Sequence, residues 1–227
     1  MSAFFVTATG TDIGKTFVTA GLIRHLRAQG RAVAALKPLV SGFDAASAMG
    51  SDPAVLLDAL GEAATPDAIA RLSPWRFKAP LSPDMAAARE GRAIDFDALV
   101  AFCRDAVAAR DGTLFIEGVG GVMVPLDDTH TVLDWAKALQ LPLILVAGSY
   151  LGTLSHTLTA LDVIARANLK VAAVVVNESA QGGVPLEETV ASLRRFTAVP
   201  IAALPRAPAE AAFAELARLL TDETGRG

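Results

Sequence analysis

Gly14-Lys15-Thr16 follows an apolar run, Phe4-Phe5-Val6, and a small polar turn that includes Thr9, Gly10, Thr11 and Asp12. Strand, turn and helix in that order suit a phosphate-type anion. Backbone N–H groups of the turn and of the helix start surround the anion. Lys15 would reach the β- and γ-phosphates of a nucleotide, and the Thr16 hydroxyl would hold Mg²⁺. The pattern G-x-x-x-x-G-K-[ST] is met except at its first position, where Thr9 stands and the spare glycine is Gly10. The plainer alternative is a strand-to-helix turn carrying a surface lysine.

Other residues of the same chemical kind close further apolar runs. Lys37 follows 32–36 and precedes Pro38; in a cleft it would stabilise negative charge developing in phosphoryl transfer. Ser41, four residues on, could hydrogen-bond a small substrate or be an ordinary loop serine before Gly42. Glu117 closes the run 113–116 and leads into Gly118-Val119-Gly120-Gly121. A carboxylate there, opposite the loop hydroxyl, is placed to hold Mg²⁺, and the glycines let backbone approach a ligand. Asp52 is a second metal candidate and also a good N-cap for a helix from Pro53. Asn177 ends the run 171–176; its amide offers a donor and an acceptor to adenine, or serves a turn.

The elements that must position these groups alternate. Apolar runs at 3–8, 32–36, 113–116, 143–146, 171–176 and 201–204 are continuous, as strands covered by helices on both faces are. Helical spacing recurs at 16–29, 53–60, 85–90, 94–109, 132–139, 153–167, 186–196 and 209–220. The segment 39–52 reads as loop. Residues 65–83, with Pro66, Pro74, Pro80 and Pro83, read as irregular, and the tail 221–227 as frayed. This predicts a single α/β domain over 1–227, a P-loop NTPase-like three-layer sandwich with a mostly parallel central sheet. Ligands then sit at the carboxyl ends of the strands, where Lys15, Lys37, Glu117, Asn177 and Pro205 fall.

Composition narrows the partners. The net charge is −4 and no Lys/Arg run exceeds two residues, so nucleic-acid binding has no electrostatic support. No stretch reaches membrane-spanning length, and no basic segment precedes the first apolar run, so the expected location is cytoplasmic. The single cysteine, Cys103, sits on the apolar face of a helical pattern with Phe96, Leu99, Val100 and Val107. It reads as a buried thiol rather than a nucleophile. His25, His130 and His156 are scattered without metal spacing.

These residues resemble the dethiobiotin synthetase family. The likeness runs from Phe5 to about Pro205 and rests on Gly14-Lys15-Thr16, Lys37-Pro38 with Ser41-Gly42, Ser51-Asp52, Ser82-Pro83 and Glu117-Gly118-Val119-Gly120-Gly121. It continues through Pro125-Leu126-Asp127-Asp128, Asp134-Trp135, Leu151-Gly152, Asn177 and Pro205. An ungapped match sets Ala8 at the family's first glycine, Asp12 at a usual glutamate and Ile13 at a usual valine.

The resemblance implies an ATP-dependent enzyme that carboxylates 7,8-diaminopelargonate with CO₂ and closes a ureido ring, working as a homodimer. It implies ATP contacts at Asp12, Ile13, Gly14, Lys15, Thr16, Phe17, Asp52, Glu117, Gly118, Val119, Gly120, Asn177, Pro205, Arg206 and Ala207. It implies Mg²⁺ on Thr16, Asp52 and Glu117, substrate contacts at Thr11, Lys37 and Ser41, and catalysis by Lys37 and Lys15. The segment 148–155 would reach the neighbouring subunit's substrate. A regulatory ATPase of the partition or division-site kind is the alternative. Such switches carry an extra lysine early in the loop, and positions 8–13 contain none.

Overall fold

The apolar runs do form one sheet. The computed structural model describes residues 2–180, 183–207 and 210–224. In chain order the strands are β1 (Ser2–Ala8), β2 (Val33–Leu36), β3 (Leu39–Ser41), β4 (Trp75–Phe77), β5 (Thr113–Glu117), β6 (Leu143–Gly148), β7 (Val171–Asn177) and β8 (Ile201–Leu204). The helices are α1 (Lys15–Ala28), α2 (Asp52–Leu60), α3 (Pro66–Leu72), α4 (Pro83–Arg89), α5 (Phe96–Ala109), α6 (Val132–Leu139), α7 (Thr153–Arg166), α8 (Leu186–Leu193) and α9 (Glu210–Thr224). The expected helix start at Ala209 and the tail residues 225–227 lie outside the described residues, while 221–224, expected to fray, continue α9.

Six strands pair in the order β2-β5-β1-β6-β7-β8, and every pairing is parallel. The chain leaves β1 for one side of the sheet and later returns to the other, so β1 sits at the reversal of strand order. The crevice over its carboxyl end is where such sheets bind ligands. Side-chain alternation along β1 divides the core in two. Phe4, Val6 and Ala8 join the cluster under α1, α2, α3 and α9. Ala3 and Phe5 join the one under α5, α6, α7 and α8. Phe5 meets Trp135 of α6 edge-on at 4.9 Å, and both are fully buried. Each such side chain contributes roughly 1.5–3 kcal/mol by leaving water.

Local signals set the helix ends. A capping box starts α6: the Thr131 hydroxyl accepts from the Asp134 N–H and the Asp134 carboxylate accepts from the Thr131 N–H. In α1, Val18, Leu22, Ile23 and Leu26 are buried on one face.

Three expectations need correction. The stretch 65–83 is not irregular: the Thr65 hydroxyl caps α3 by accepting from the Ala68 N–H at 3.2 Å. Pro66 therefore starts a helix instead of breaking one. Next, 39–52 is not plain loop. β3 pairs in parallel with β4 as a separate two-stranded sheet, burying Leu39 and Phe77, and Ala45–Gly50 is a 3-10 helix. Finally, Asp52 is the first residue of α2 and Ser51 is the N-cap. The Ser51 hydroxyl turns back to the Ala48 carbonyl at 2.6 Å, and Asp52 is directed elsewhere.

Among the described residues no helix is long and apolar enough to cross a membrane. Cys103 is fully buried in α5, and burial pushes its thiol up to about 12 from 9.0. The folded state thus holds this proton more tightly than the unfolded chain does. Its contribution to stability is intact below about pH 9 and is lost as pH rises from there toward 12. Iodoacetamide is expected to leave native Cys103 unmodified between roughly pH 7 and 9 and to alkylate it fully in guanidinium. Mass spectrometry checks both, and rapid native labelling at neutral pH would show an accessible thiolate.

Candidate nucleotide and substrate site

The turn after β1 is a backbone structure. The Thr9 N–H donates to the Val146 carbonyl at 3.0 Å, and Val122 N–H and Gly118 N–H donate to the Ala8 and Val6 carbonyls. The glycine-rich turn after β5 therefore lies directly on the end of β1. A Cβ on Gly121 would come within 3.2–3.3 Å of Gly10 and Thr9 backbone atoms. Asp12 (φ 56°) and Gly14 (φ 99°) take left-handed conformations. Gly14 is the N-cap of α1 and supplies no side-chain cap. The first N–H groups of α1 have no intrahelical acceptors and, with the positive end of the helix dipole, are suited to an anion.

Lys15 lies back over this turn. Its Nζ donates to the Gly120 carbonyl at 2.8 Å and reaches the Gly10 carbonyl at 3.4 Å. Burial, and then the charge of Lys37, lower its pKa to about 8.

Lys37, only 2% exposed, is the centre of the site. Its three ammonium hydrogens meet three acceptors: Glu117 Oε1 at 2.7 Å, the Gly118 carbonyl at 2.8 Å and Asp52 Oδ2 at 3.1 Å. Burial alone would lower the Lys37 pKa, but the charges of Glu117 and Asp52 outweigh it and hold the pKa above its usual value. The counterpart is seen at Asp52. Burial would raise its carboxyl, yet the Lys37 ammonium beside it holds it below the usual range. Thr16 Oγ1 donates to Glu117 Oε1 at 2.7 Å. Glu117 is fully buried, and its Oε2 has no hydrogen-bond partner.

A cleft of about 590 Å³ opens beside this network. Thr11, Asp12, Gly14, Lys15, Thr16, Lys37, Ser41 and Asp52 form its polar side, with Val119 and Gly120. Val40, Pro80, Leu81, Pro83 and Val124 add an apolar wall. The Ser41 hydroxyl is buried without a partner. Glu117 and Gly118 lie beneath the cleft, at the end of β5.

The remaining expected residues lie outside the cleft. Asn177 Nδ2 donates to the Ile13 carbonyl at 2.9 Å. Phe17 turns outward, 42% exposed, with its ring edge against Phe213 of α9 at 6.2 Å. Pro205, Arg206 and Ala207 follow β8, next to β7, and the Arg206 N–H donates to Glu178 Oε2 at 2.9 Å. The apolar wall went unread in the sequence, where Pro80 looked like a breaker. The Gly10 and Gly120 carbonyls that hold Lys15 leave no trace in residue type.

The residues present fit Mg²⁺. The free Glu117 Oε2, the Thr16 hydroxyl and Asp52 meet around Lys37, so oxygen donors from three elements converge there. Among the described residues no group of three or more His, Cys, Asp or Glu could hold a metal. A hard cation completing its shell with water and phosphate oxygens suits so small a set.

Fold and site together define a P-loop nucleotide-binding protein of the α/β class. A solved structure of the cell division ATPase MinD from Pyrococcus furiosus matches with TM-score 0.58 at 15% identity, covering 98% of this chain and 99% of that one. Hydrogenase maturation factor HypB from Archaeoglobus fulgidus matches with TM-score 0.56 at 13% identity, over 96% and 89%. Likeness at that identity concerns the fold alone. The profile of a family described as an AAA domain matches residues 2–210. The chain is also 53% identical to the ATP-dependent dethiobiotin synthetase BioD of Acidiphilium cryptum (strain JF-5), over 86% of this chain and 88% of that one. It is 52% identical to the protein of that name from Caulobacter sp. (strain K31), over 86% and 84%. For Methylobacterium nodulans the figures are 48%, 91% and 94%. The chain belongs to the ATP-dependent dethiobiotin synthetase family, and it is an ATP-dependent ligase.

Removing one partner of the buried network leaves a desolvated charge. Glu117→Ala is expected to cost about 3–5 kcal/mol of stability by chemical denaturation. A loss of roughly 1 kcal/mol, the level of an exposed pair, would contradict the burial argument.

Proposed function

We propose that this chain makes dethiobiotin from 7,8-diaminopelargonate, CO₂ and ATP, with the chemistry centred on Lys37. The observation that carries this reading is the Lys37–Glu117–Asp52–Thr16 network at the head of a cleft with a phosphate turn on one side and an apolar wall on the other.

One amine of the substrate adds to CO₂ and loses a proton, giving an N-carbamate. Thr11, Ser41 and Lys37 would orient that anion, and the apolar wall would take the aliphatic chain. The carbamate oxygen attacks the γ-phosphorus in line and ADP departs. The second amine then attacks the carbonyl carbon of the carbamic-phosphoric anhydride, phosphate leaves, and the five-membered ring closes. Positioning and charge stabilisation carry such a transfer. Thr16, Asp52 and Glu117 would hold Mg²⁺, which supplies positive charge against the phosphates.

Lys37 reaches a phosphoryl oxygen only by exchanging one of its three acceptors. The Asp52 contact is the longest, at 3.1 Å, and Asp52 is the more exposed carboxylate, so it is the one to give way. Lys15 and the first N–H groups of α1 would hold the β- and γ-phosphates, with Asp12, Ile13, Gly14, Gly118, Val119 and Gly120 shaping the turn around them. Asn177, Phe17 and the 205–207 turn would take the adenine. We read the chain as one domain, working as a homodimer in the cytoplasm. Leu151, 90% exposed, supports the reading that 148–155 serves a neighbouring subunit.

Phosphate release from MgATP is expected to need both diaminopelargonate and bicarbonate. Hydrolysis indifferent to the diamine but stimulated by a protein or by DNA would favour the regulatory-ATPase alternative instead. Lys37→Gln is expected to bind MgATP as before while turnover falls about 10²–10³-fold. Normal turnover in that variant would remove Lys37 from the mechanism.

A further inference from the structure

Asn177 closes β7, and β6 lies between β7 and β1 in the sheet. Its side chain nevertheless crosses to the phosphate turn, where Nδ2 donates to the Ile13 carbonyl at 2.9 Å. Gly14 seals the contact. It stands at φ 99°, and a Cβ placed there would fall 2.3 Å from Asn177 Nδ2. The last two residues before α1 are thus seated on one amide group.

That amide is itself fixed from both sides. β7 is in register with β6 at Gly148↔Asn177 and with β8 at Asn177↔Leu204. Just beyond, the Glu178 N–H donates to the Leu204 carbonyl at 2.8 Å. Ser149 and Ser179 exchange hydrogen bonds, each N–H to the other's Oγ, at 3.1 and 3.0 Å. The turn it supports needs holding, because Asp12 and Gly14 both take left-handed conformations.

We propose that Asn177 is a positioning residue of the phosphate site: its amide sets the Ile13–Gly14 backbone so that the N–H groups opening α1 converge on phosphate, whether or not a base is present. The second Nδ2 hydrogen and Oδ1 are left for the edge of the base, so one side chain ties the base seat to the phosphate turn. This rests on the nucleotide reading given above.

Inorganic tripolyphosphate separates the two roles, because it has phosphates and no base. Calorimetric titration of Asn177→Ala with Mg-tripolyphosphate is expected to show an affinity lower by about tenfold, the effect of one hydrogen bond. MgATP affinity is expected to fall at least as far. Asn177→Asp is nearly isosteric and sets a carboxylate against the Ile13 carbonyl. It is expected to lose at least as much, and it carries the test if the alanine variant does not fold. If ATP affinity falls while tripolyphosphate affinity stays at the unsubstituted level, Asn177 contacts the base alone and the proposal is overturned. If neither affinity changes, both roles are excluded. If the unsubstituted protein does not bind tripolyphosphate at all, the phosphate-site reading itself fails and the proposal with it.

Discussion

A buried ammonium can exist in this fold only because two carboxylates and a carbonyl surround it. Lys37 lies almost wholly out of water, and an isolated charge there would shift to its neutral form. Glu117 and Asp52 reverse that tendency, and the Gly118 carbonyl takes the remaining hydrogen. The network joins three distant parts of the chain: Lys37 at the exit of β2, Asp52 as the first residue of α2, and Glu117 with Gly118 at the end of β5. The network therefore requires β2 and β5 to be neighbours and α2 to start at one particular place. The observed register, Leu36↔Ile116, sets Lys37 and Glu117 side by side. Thr16 joins through Glu117, so the phosphate turn, the second strand and the inserted helix share one electrostatic centre.

The phosphate turn depends on backbone where the Lys37 network depends on charge. Its supports are N–H and C=O groups of β1, β6 and the 118–122 turn, and one side-chain amide from β7. Parallel strands make this possible, because all six carboxyl ends open on the same edge. Glycines expected to let backbone approach a ligand also let one part of the chain lie close against another. A Cβ on Gly121 would press on the Gly10 and Thr9 backbone at 3.2–3.3 Å, and one on Gly14 would collide with the Asn177 amide at 2.3 Å.

Much of this was legible in the residues. Continuous apolar runs gave the strands of the main sheet, because a strand covered on both faces carries no polar alternation to hide it. Lys37 and Glu117 could be assigned to one edge because each directly follows such a run, and Lys15 and Thr16 because they close the turn after one. The passage 39–83 was harder. Its prolines signal breaks on average, yet Pro66 sits where a missing N–H costs nothing, after a capping threonine. β3 and β4 are three residues each and pair only with one another, too short for any period to show. Asp52 was read both as a metal carboxylate and as a helix cap; Ser51 holds the cap position, and the Asp52 carboxylate lies against Lys37. Phe17 and the 205–207 turn stand apart from the cleft since their neighbourhood is made by β7, β8 and α9, which sequence spacing does not connect.

The small β3–β4 sheet shares no strand with the six-stranded one. Val40 and Ser41 come from it, and Pro80, Leu81 and Pro83 follow it into the cleft, while the phosphate turn and Glu117 belong to the main sheet. The molecule is in this sense an engine with an exchangeable fitting. Replacements just after β4, at Pro80, Leu81 and Pro83, would alter the shape presented to an acceptor molecule and leave the Lys37–Asp52–Glu117 network in place. A common sheet can then serve acceptors with little in common, and selection can tune one part without dismantling the other.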